Sequence, residues 1–126
     1  MGEERVILGL TANVILIGNN LKQKEVTVRI DTGATTSSID EHLANELELG
    51  PIMRQKTIKS ASGVESRDIV EAKVKIAGKQ ITAEFSIANR GNLTYTALLG
   101  QNVLIAGKFM VDPLKDSSKI LGENRQ

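Results

Sequence analysis

The sequence predicts an all-β fold, a small closed and mostly antiparallel β-barrel with one or two short helices. Three observations carry the expectation. Apolar and polar residues alternate with strand periodicity through Val26, Val28 and Ile30, through Val70, Ala72, Val74 and Ile76, and through Ile81, Ala83, Phe85 and Ile87. Turn-forming clusters punctuate these runs, among them Gly18-Asn19-Asn20, Ala77-Gly78-Lys79 and Asn89-Arg90-Gly91-Asn92. Helix signals are confined to residues 41–49 and 101–106, each stretch followed by a glycine. The 126 residues suffice for one domain and one core, and no internal repeat, low-complexity segment or linker divides them. Residues 1–114 are expected to form that domain and residues 115–126 a loose polar tail. Aromatic residues are only 2% and Trp is absent, so the core is expected to be aliphatic.

Taken in order, residues 5–10 and 14–17 are short β-rich runs, with Thr11-Ala12-Asn13 as the expected hairpin turn between them. The strand 26–30 leads into Asp31-Thr32-Gly33, and the hydroxyl-rich run Ala34-Thr35-Thr36-Ser37-Ser38-Ile39 returns from it. Ser38, with Glu41 three residues on, fits a capping box for the helix 41–49. Leu43 and Leu47 stand one turn apart and would face the core, and Gly50-Pro51 ends the helix. His42, the one histidine, reads as a helix-surface residue, since no second His or Cys could share a metal with it. A strand over 53–58 precedes Lys59 to Ser66, small and polar around Gly63, which reads as a hairpin tip. The alternating strands 70–76 and 81–87 form a hairpin with one wet face. An apolar strand over 95–99 ends at Gly100, the helix 101–106 stops at Gly107, and a terminal strand over 109–113 is closed by Pro113.

Several function classes find no support. Net charge is +1, from 16 basic and 15 acidic residues without a basic block, so nucleic-acid binding has no electrostatic footing. No apolar run approaches the ~20 residues of a membrane span. The start, Met1-Gly2-Glu3-Glu4-Arg5, is acidic and unlike a signal peptide, and Val6 stands where a myristoylation signal needs Ser or Thr. There is no cysteine, hence no disulfide or thiol chemistry. A cytoplasmic location is the expectation that fits.

Chemistry concentrates at Asp31. A carboxylate at the end of a buried strand is costly unless hydrogen-bonded, and Gly33 lets the backbone turn and bring its N–H groups close. A bare Asp-Thr-Gly is more often an ordinary turn. Here an apolar strand enters it, a hydroxyl-rich strand leaves it, and Leu98-Leu99-Gly100 follows far downstream. This trio resembles that of the retropepsin-like aspartic proteases. The resemblance implies catalysis by Asp31 with Thr32 and Gly33. It places Leu98, Leu99 and Gly100 in a buried strand beneath the loop, Ala34 in the floor of the substrate site, and Ser60, Ala61, Ser62 and Gly63 in a flap over it. Only one Asp-Thr-Gly is present, so a paired carboxylate requires two chains and a homodimer is expected.

A narrower resemblance covers residues 26–113. Arg29 to Ala34, Ser62-Gly63, Arg67 to Val70, Asn89-Arg90, Ala97 to Leu104 and Phe109 to Pro113 are similar to motifs of the family named for ATP-dependent zinc proteases. Members are often encoded beside ATP-grasp ligases that add glutamates to proteins, which suggests a trimming peptidase. The residues do not match the family's name. There is no His-Glu-x-x-His, no Cys and no phosphate-binding Gly-x-x-x-x-Gly-Lys, so no metal and no cofactor is expected. Gln101 stands where the family usually has Arg, whose bidentate contact Gln cannot copy. The expected function is that of an aspartic endopeptidase. Asp31 of two subunits would activate a water against an extended peptide. A non-catalytic dimeric barrel that binds peptides or proteins is the alternative, and a plain β-rich structural domain explains the strands but not the loop.

Overall fold

A computed structural model describes residues 5–61 and 63–116. Among the described residues nine strands and two helices follow one another: β1 Ile7–Leu8, β2 Thr11–Ile17, β3 Gln23–Ile30, β4 Ser37–Asp40, α1 Glu41–Glu46, β5 Arg54–Ser60, β6 Gly63–Ile76, β7 Lys79–Ala88, β8 Ala97–Leu99, α2 Gln101–Ala106 and β9 Met110–Val111. Six strands close into a barrel in the order β2-β3-β8-β4-β7-β6, with β6 returning to β2 through Ile15↔Lys75, Leu16↔Val74 and Ile17↔Lys73. Most neighbours are antiparallel, but β8 runs parallel to β3 and β7 parallel to β4. β5 lies outside the ring, paired with β6. β1 and β9 form a separate parallel pair.

The alternation read from the sequence is what closes the core. Val70, Ala72, Val74 and Ile76 are all buried along β6, while Glu71, Lys73 and Lys75 are exposed. Leu16, Val28, Ile39, Leu99 and Val103 come from five other elements and are wholly buried. Each such side chain contributes about 1.5–3 kcal/mol by leaving water. The core is aliphatic except for Phe85, which is fully buried on β7. The β6–β7 turn takes φ of 50° at Ala77 and 79° at Gly78, the left-handed pair that matches the twist of a two-residue hairpin. α2 spans the expected residues, and Gly107 caps it; a Cβ there would lie 2.2 Å from the Phe109 ring.

Three local expectations are corrected. Thr11-Ala12-Asn13 is not a turn but the first part of β2, paired with Thr27, Val28 and Arg29. The turn tendency of Asn13 loses to that ladder, and its side chain accepts a hydrogen bond from Thr27 Oγ1 at 2.6 Å. Ser38 does not cap α1. It sits in β4, paired with Leu98 and Ser86, and Asp40 is the cap, accepting from the His42 N–H at 3.1 Å. α1 ends at Glu46 rather than at residue 49, with Leu47 as its cap and Leu43 and Leu47 buried as expected. His42 is exposed on its surface.

Beyond β9, the Lys115 ammonium donates to the Ile7 carbonyl. The rest of the expected tail, residues 117–126, lies outside the described residues. Among the described residues no helix is long and apolar enough to cross a membrane.

Candidate active site

β3 delivers Asp31 to the end of the barrel, and β8 holds it there. The Asp31 N–H donates to the Leu99 carbonyl at 2.9 Å, continuing the β3–β8 ladder of Arg29↔Leu98 and Ile30↔Leu99. β8 is also paired with β4 on its other side, so both arms of the loop are fastened to one buried strand. Leu99 and Gly100 are buried and Leu98 partly so. The turn is closed by Asp31 itself: its Oδ1 accepts the Gly33 N–H at 2.9 Å and its carbonyl the Ala34 N–H at 3.3 Å. A Cβ on Gly33 would lie 3.3 Å from that same oxygen, tight enough to disturb the carboxylate. Asp31 is partly buried, while Thr32 and Gly33 at the tip are exposed.

The start of α2 braces the return arm. The Gln101 N–H donates to the Ala34 carbonyl at 2.7 Å, and the Gln101 side chain donates to the Thr32 carbonyl at 2.8 Å. Gln101 thus holds the Asp31 loop of its own chain by a neutral hydrogen bond. Ser37 is a hub that sequence reasoning missed. Its hydroxyl accepts from the Gly100 N–H at 3.0 Å and donates to Asn102 Oδ1 at 2.8 Å. The Asn102 side chain donates onward to the Glu84 carbonyl at 2.9 Å, tying the loop to β7. Ser37 was visible only as one hydroxyl among the four of residues 34–39, and the role of Asn102 carried no signal without the fold.

Between this loop and the β5–β6 hairpin runs an open cleft of about 500 Å³. Gly33, Ala34, Thr35, Thr36 and Ser38 line one side, with Lys56, Thr57, Ile58, Lys59 and Arg67 facing them and Arg90 and Leu98 completing the wall. Among the described residues this lining has four cationic side chains and no Asp or Glu. The cations come from three separate segments, and no motif announced their convergence. Lys56 donates to Thr36 Oγ1 at 3.3 Å, a bridge between hairpin and loop. Ser60 and Gly63 form the last backbone pair of the hairpin, with Ala61 exposed in its turn; Ala61 and Gly63 do not line this cleft. Ser62 lies outside the described residues.

The hairpin root is fixed by an ion pair. Arg54 Nη1 and Nη2 donate to both Glu84 oxygens, at 2.8 and 2.5 Å. The hydrogen bond to Arg54 holds the Glu84 carboxyl below its usual pKa, against a smaller desolvation effect, with Arg54 and Lys56 charges helping. The same bond raises the Arg54 guanidinium. A folded pKa below the unfolded one stabilises above the unfolded value, and that stabilisation is lost as pH falls through the folded value. Arg54 is exposed and Glu84 partly so, and solvent screening keeps the effect small. Glu84→Gln is expected to flatten slightly the fall in melting temperature below pH 5, measured by thermal scans across the acid range.

A zinc ion, implied by the name of the resembled family, finds no donor set here. Among the described residues no three His, Cys, Asp or Glu side chains come together.

Comparison with known proteins places this geometry. The family profile described as "RimB-like: Retropepsin-like aspartic endopeptidase RimB" matches residues 40–120, a span that begins after the Asp31 loop. No curated protein matches. A Legionella pneumophila protein of unknown function superposes with a TM-score of 0.61 at 23% identity, covering 87% of this chain and 95% of the other. EIAV protease, solved with an inhibitor, gives 0.63 at 21% identity, covering 81% and 90%. A retropepsin-like aspartic protease from Rickettsia conorii gives 0.56 at 21%, covering 75% and 69%. At these identities the likeness is one of fold.

Proposed function

The chain belongs to the RimB-like family of retropepsin-like aspartic endopeptidases, and from that membership we propose that it hydrolyses extended acidic peptides with a dyad built from Asp31 of two copies. The observation that carries the reading is the Asp31 loop. One carboxylate oxygen is fixed by the Gly33 N–H, the loop is bound to β8 beneath it, and its tip is exposed in the single chain.

Two such tips meeting on a twofold axis bring the carboxyls within hydrogen-bond reach. Carboxylates that close cannot both ionise, aspartic proteases being the general instance of this effect, so the pair shares one proton. The charged Asp31 takes a proton from a water between them, and the water oxygen attacks the scissile carbonyl. The protonated partner donates to the carbonyl oxygen, and a proton then passes to the leaving nitrogen as the C–N bond breaks. Gly33 keeps the carboxylate aimed, and Ala34 floors the site. The peptide lies extended between loop and hairpin, in the manner of strand addition. Lys56, Lys59, Arg67 and Arg90 make the cleft favourable for acidic side chains.

The surface beside the loop supports a second copy as the partner. A groove of about 500 Å³ is lined by Thr32, Gln101, Leu104, Ile105, Phe109 and Met110, among others. Ile105 is 73% exposed and Met110 55%, large apolar side chains that a single chain leaves in water next to the catalytic tip. Ile105→Glu is therefore expected to shift the protein towards monomer in sedimentation and to lower activity in step. Full activity in a strictly monomeric Ile105→Glu protein would remove the dimer from the account.

The direct test is a peptide-library digest by wild type beside Asp31→Asn. Cleavage of acidic sequences by wild type alone is expected. Tight peptide binding without cleavage at any pH would favour the non-catalytic binding barrel.

A further inference from the structure

Ser38 and Arg90 both line the cleft, and neither takes part in the proton transfers above. Ser38 is only 6% exposed, and its hydroxyl has no hydrogen-bond partner among the described residues. A buried polar group left unpaired is destabilising, so such groups are rare in folded proteins. Arg90 is held at two points. Its backbone N–H donates to Asp40 Oδ1 at 2.7 Å, and its Nε donates to the Tyr95 carbonyl at 3.1 Å. Nη1 and Nη2 make no hydrogen bond among the described residues, which leaves the planar end of the fork open. Arg67, by contrast, is already paired with Glu65.

We propose that Ser38 and Arg90 form a carboxylate-binding subsite in the cleft wall, which takes an acidic side chain of the bound peptide, with Asp40 as the residue that positions Arg90. The subsite rests on reading the cleft as a peptide site, and it deepens that reading by naming the residues that select. The chemistry suits a carboxylate: two guanidinium N–H donors in a plane and a hydroxyl donor, in a part-buried wall where charge-assisted bonds are strong. Burial, and then repulsion from Arg67 and Arg29, hold the Arg90 pKa below its usual range, while Asp40 and Asp31 act the other way. An incoming carboxylate relieves both the repulsion and the unpaired hydroxyl. Asp40 is 4% exposed, and its two oxygens each accept a backbone N–H, from His42 and from Arg90. It fixes the start of the Arg90 loop against α1 and leaves the guanidinium end unbonded.

The test separates this subsite from the peptidase reading by using binding as well as cleavage. Asp31→Asn protein, in which hydrolysis is off, is titrated with two labelled peptides that are amidated at the C-terminus and differ only in Glu against Gln. A third peptide, with Gln and a free C-terminus, reports on a terminal carboxylate as the alternative source. The Glu peptide is expected to bind about tenfold or more tightly than the Gln peptide. Adding Arg90→Gln or Ser38→Ala should cut that ratio, Arg90→Gln bringing it near one. Arg90→Lys should restore part of it, and Asp40→Asn should lower it less than Arg90→Gln does. A fold defect alone would weaken both peptides together and leave the ratio intact. An unchanged ratio in Arg90→Gln overturns the subsite alone, as does equal binding of all three peptides. Preference for the free C-terminus over the Glu side chain overturns it in favour of a terminal-carboxylate site. Failure of the Arg90-bearing protein to bind any of the three overturns the peptide-cleft reading, and the subsite with it. The ratio of kcat/KM for the same peptides in Asp31-bearing protein is expected to follow the binding ratio.

Discussion

Asp31→Asn is expected to abolish peptide hydrolysis while the fold and the dimer survive. Asn matches Asp in size, and its side-chain oxygen still accepts the Gly33 N–H that closes the loop at 2.9 Å. The Asp31 backbone bonds to Leu99 and Ala34 do not involve the side chain and should persist. What is lost is chemistry. Asn does not take the proton from the water, and a pair of amides has no acidic proton to give the carbonyl oxygen. Removing a general acid–base group typically lowers the rate by about 10²- to 10⁴-fold, and here both members of the pair go at once. Thermal melting should be unchanged or slightly raised, because two carboxyls no longer crowd one axis. Cleavage rate and melting temperature, measured side by side, check both halves. Wild-type cleavage by Asp31→Asn would remove Asp31 from catalysis.

Gly100→Ala is expected to lower both stability and activity, although it lies outside the Asp31-Thr32-Gly33 turn. Gly100 has φ of −101° and ψ of −166°, an ordinary extended conformation, so backbone strain is not the reason. Space is. An added Cβ would lie 2.6 Å from the Ala34 carbonyl oxygen and 2.9 Å from that of Thr36, both backbone atoms of the return arm. The arm would have to move away, and with it the bonds from Gln101 N–H to Ala34 and from Asn102 N–H to Thr35. The Ser37 hydroxyl would lose its fit to the Gly100 N–H. Overpacking of this kind costs about 1–3 kcal/mol. The loss of activity should exceed what the remaining folded fraction accounts for, because the displaced arm carries Gly33 and Ala34. Activity per folded molecule, taken with a denaturant midpoint, separates the two effects. Normal activity per folded molecule would show that the arm does not position Asp31.

The sequence revealed those parts of the fold that one segment specifies alone. α2 and its Gly107 stop were legible because both the periodicity and the terminator lie in adjacent residues. The β6–β7 hairpin was legible because alternation and turn chemistry agree. The Asp31 loop was legible as a strand, a triplet and a distant apolar partner, and Leu99 does receive the Asp31 N–H. The capping pattern at Ser38 misled because Asp40, two residues on, caps equally well. Pairing of β4 with both β7 and β8 draws Ser38 into the sheet, a tertiary demand no local pattern shows. Thr11-Ala12-Asn13 misled for the same reason, its turn preference giving way to the β3 ladder. The convergence of the cleft's cations was hidden. Arg67 and Arg90 stood only as parts of family-like motifs and Lys56 carried no signal, until the hairpin and the β7–β8 loop bring all three to one cleft.

The central claim is that one active site needs Asp31 from each of two chains. Its most direct measurement is activity against composition, with wild-type and Asp31→Asn chains mixed at constant total concentration under conditions that allow subunit exchange. If the carboxyls act as a pair across a twofold axis, activity falls as the square of the wild-type fraction, to about a quarter at equal mixing. A straight-line fall, to about one half at equal mixing, would mean that each chain cleaves with its own Asp31 and would contradict the account.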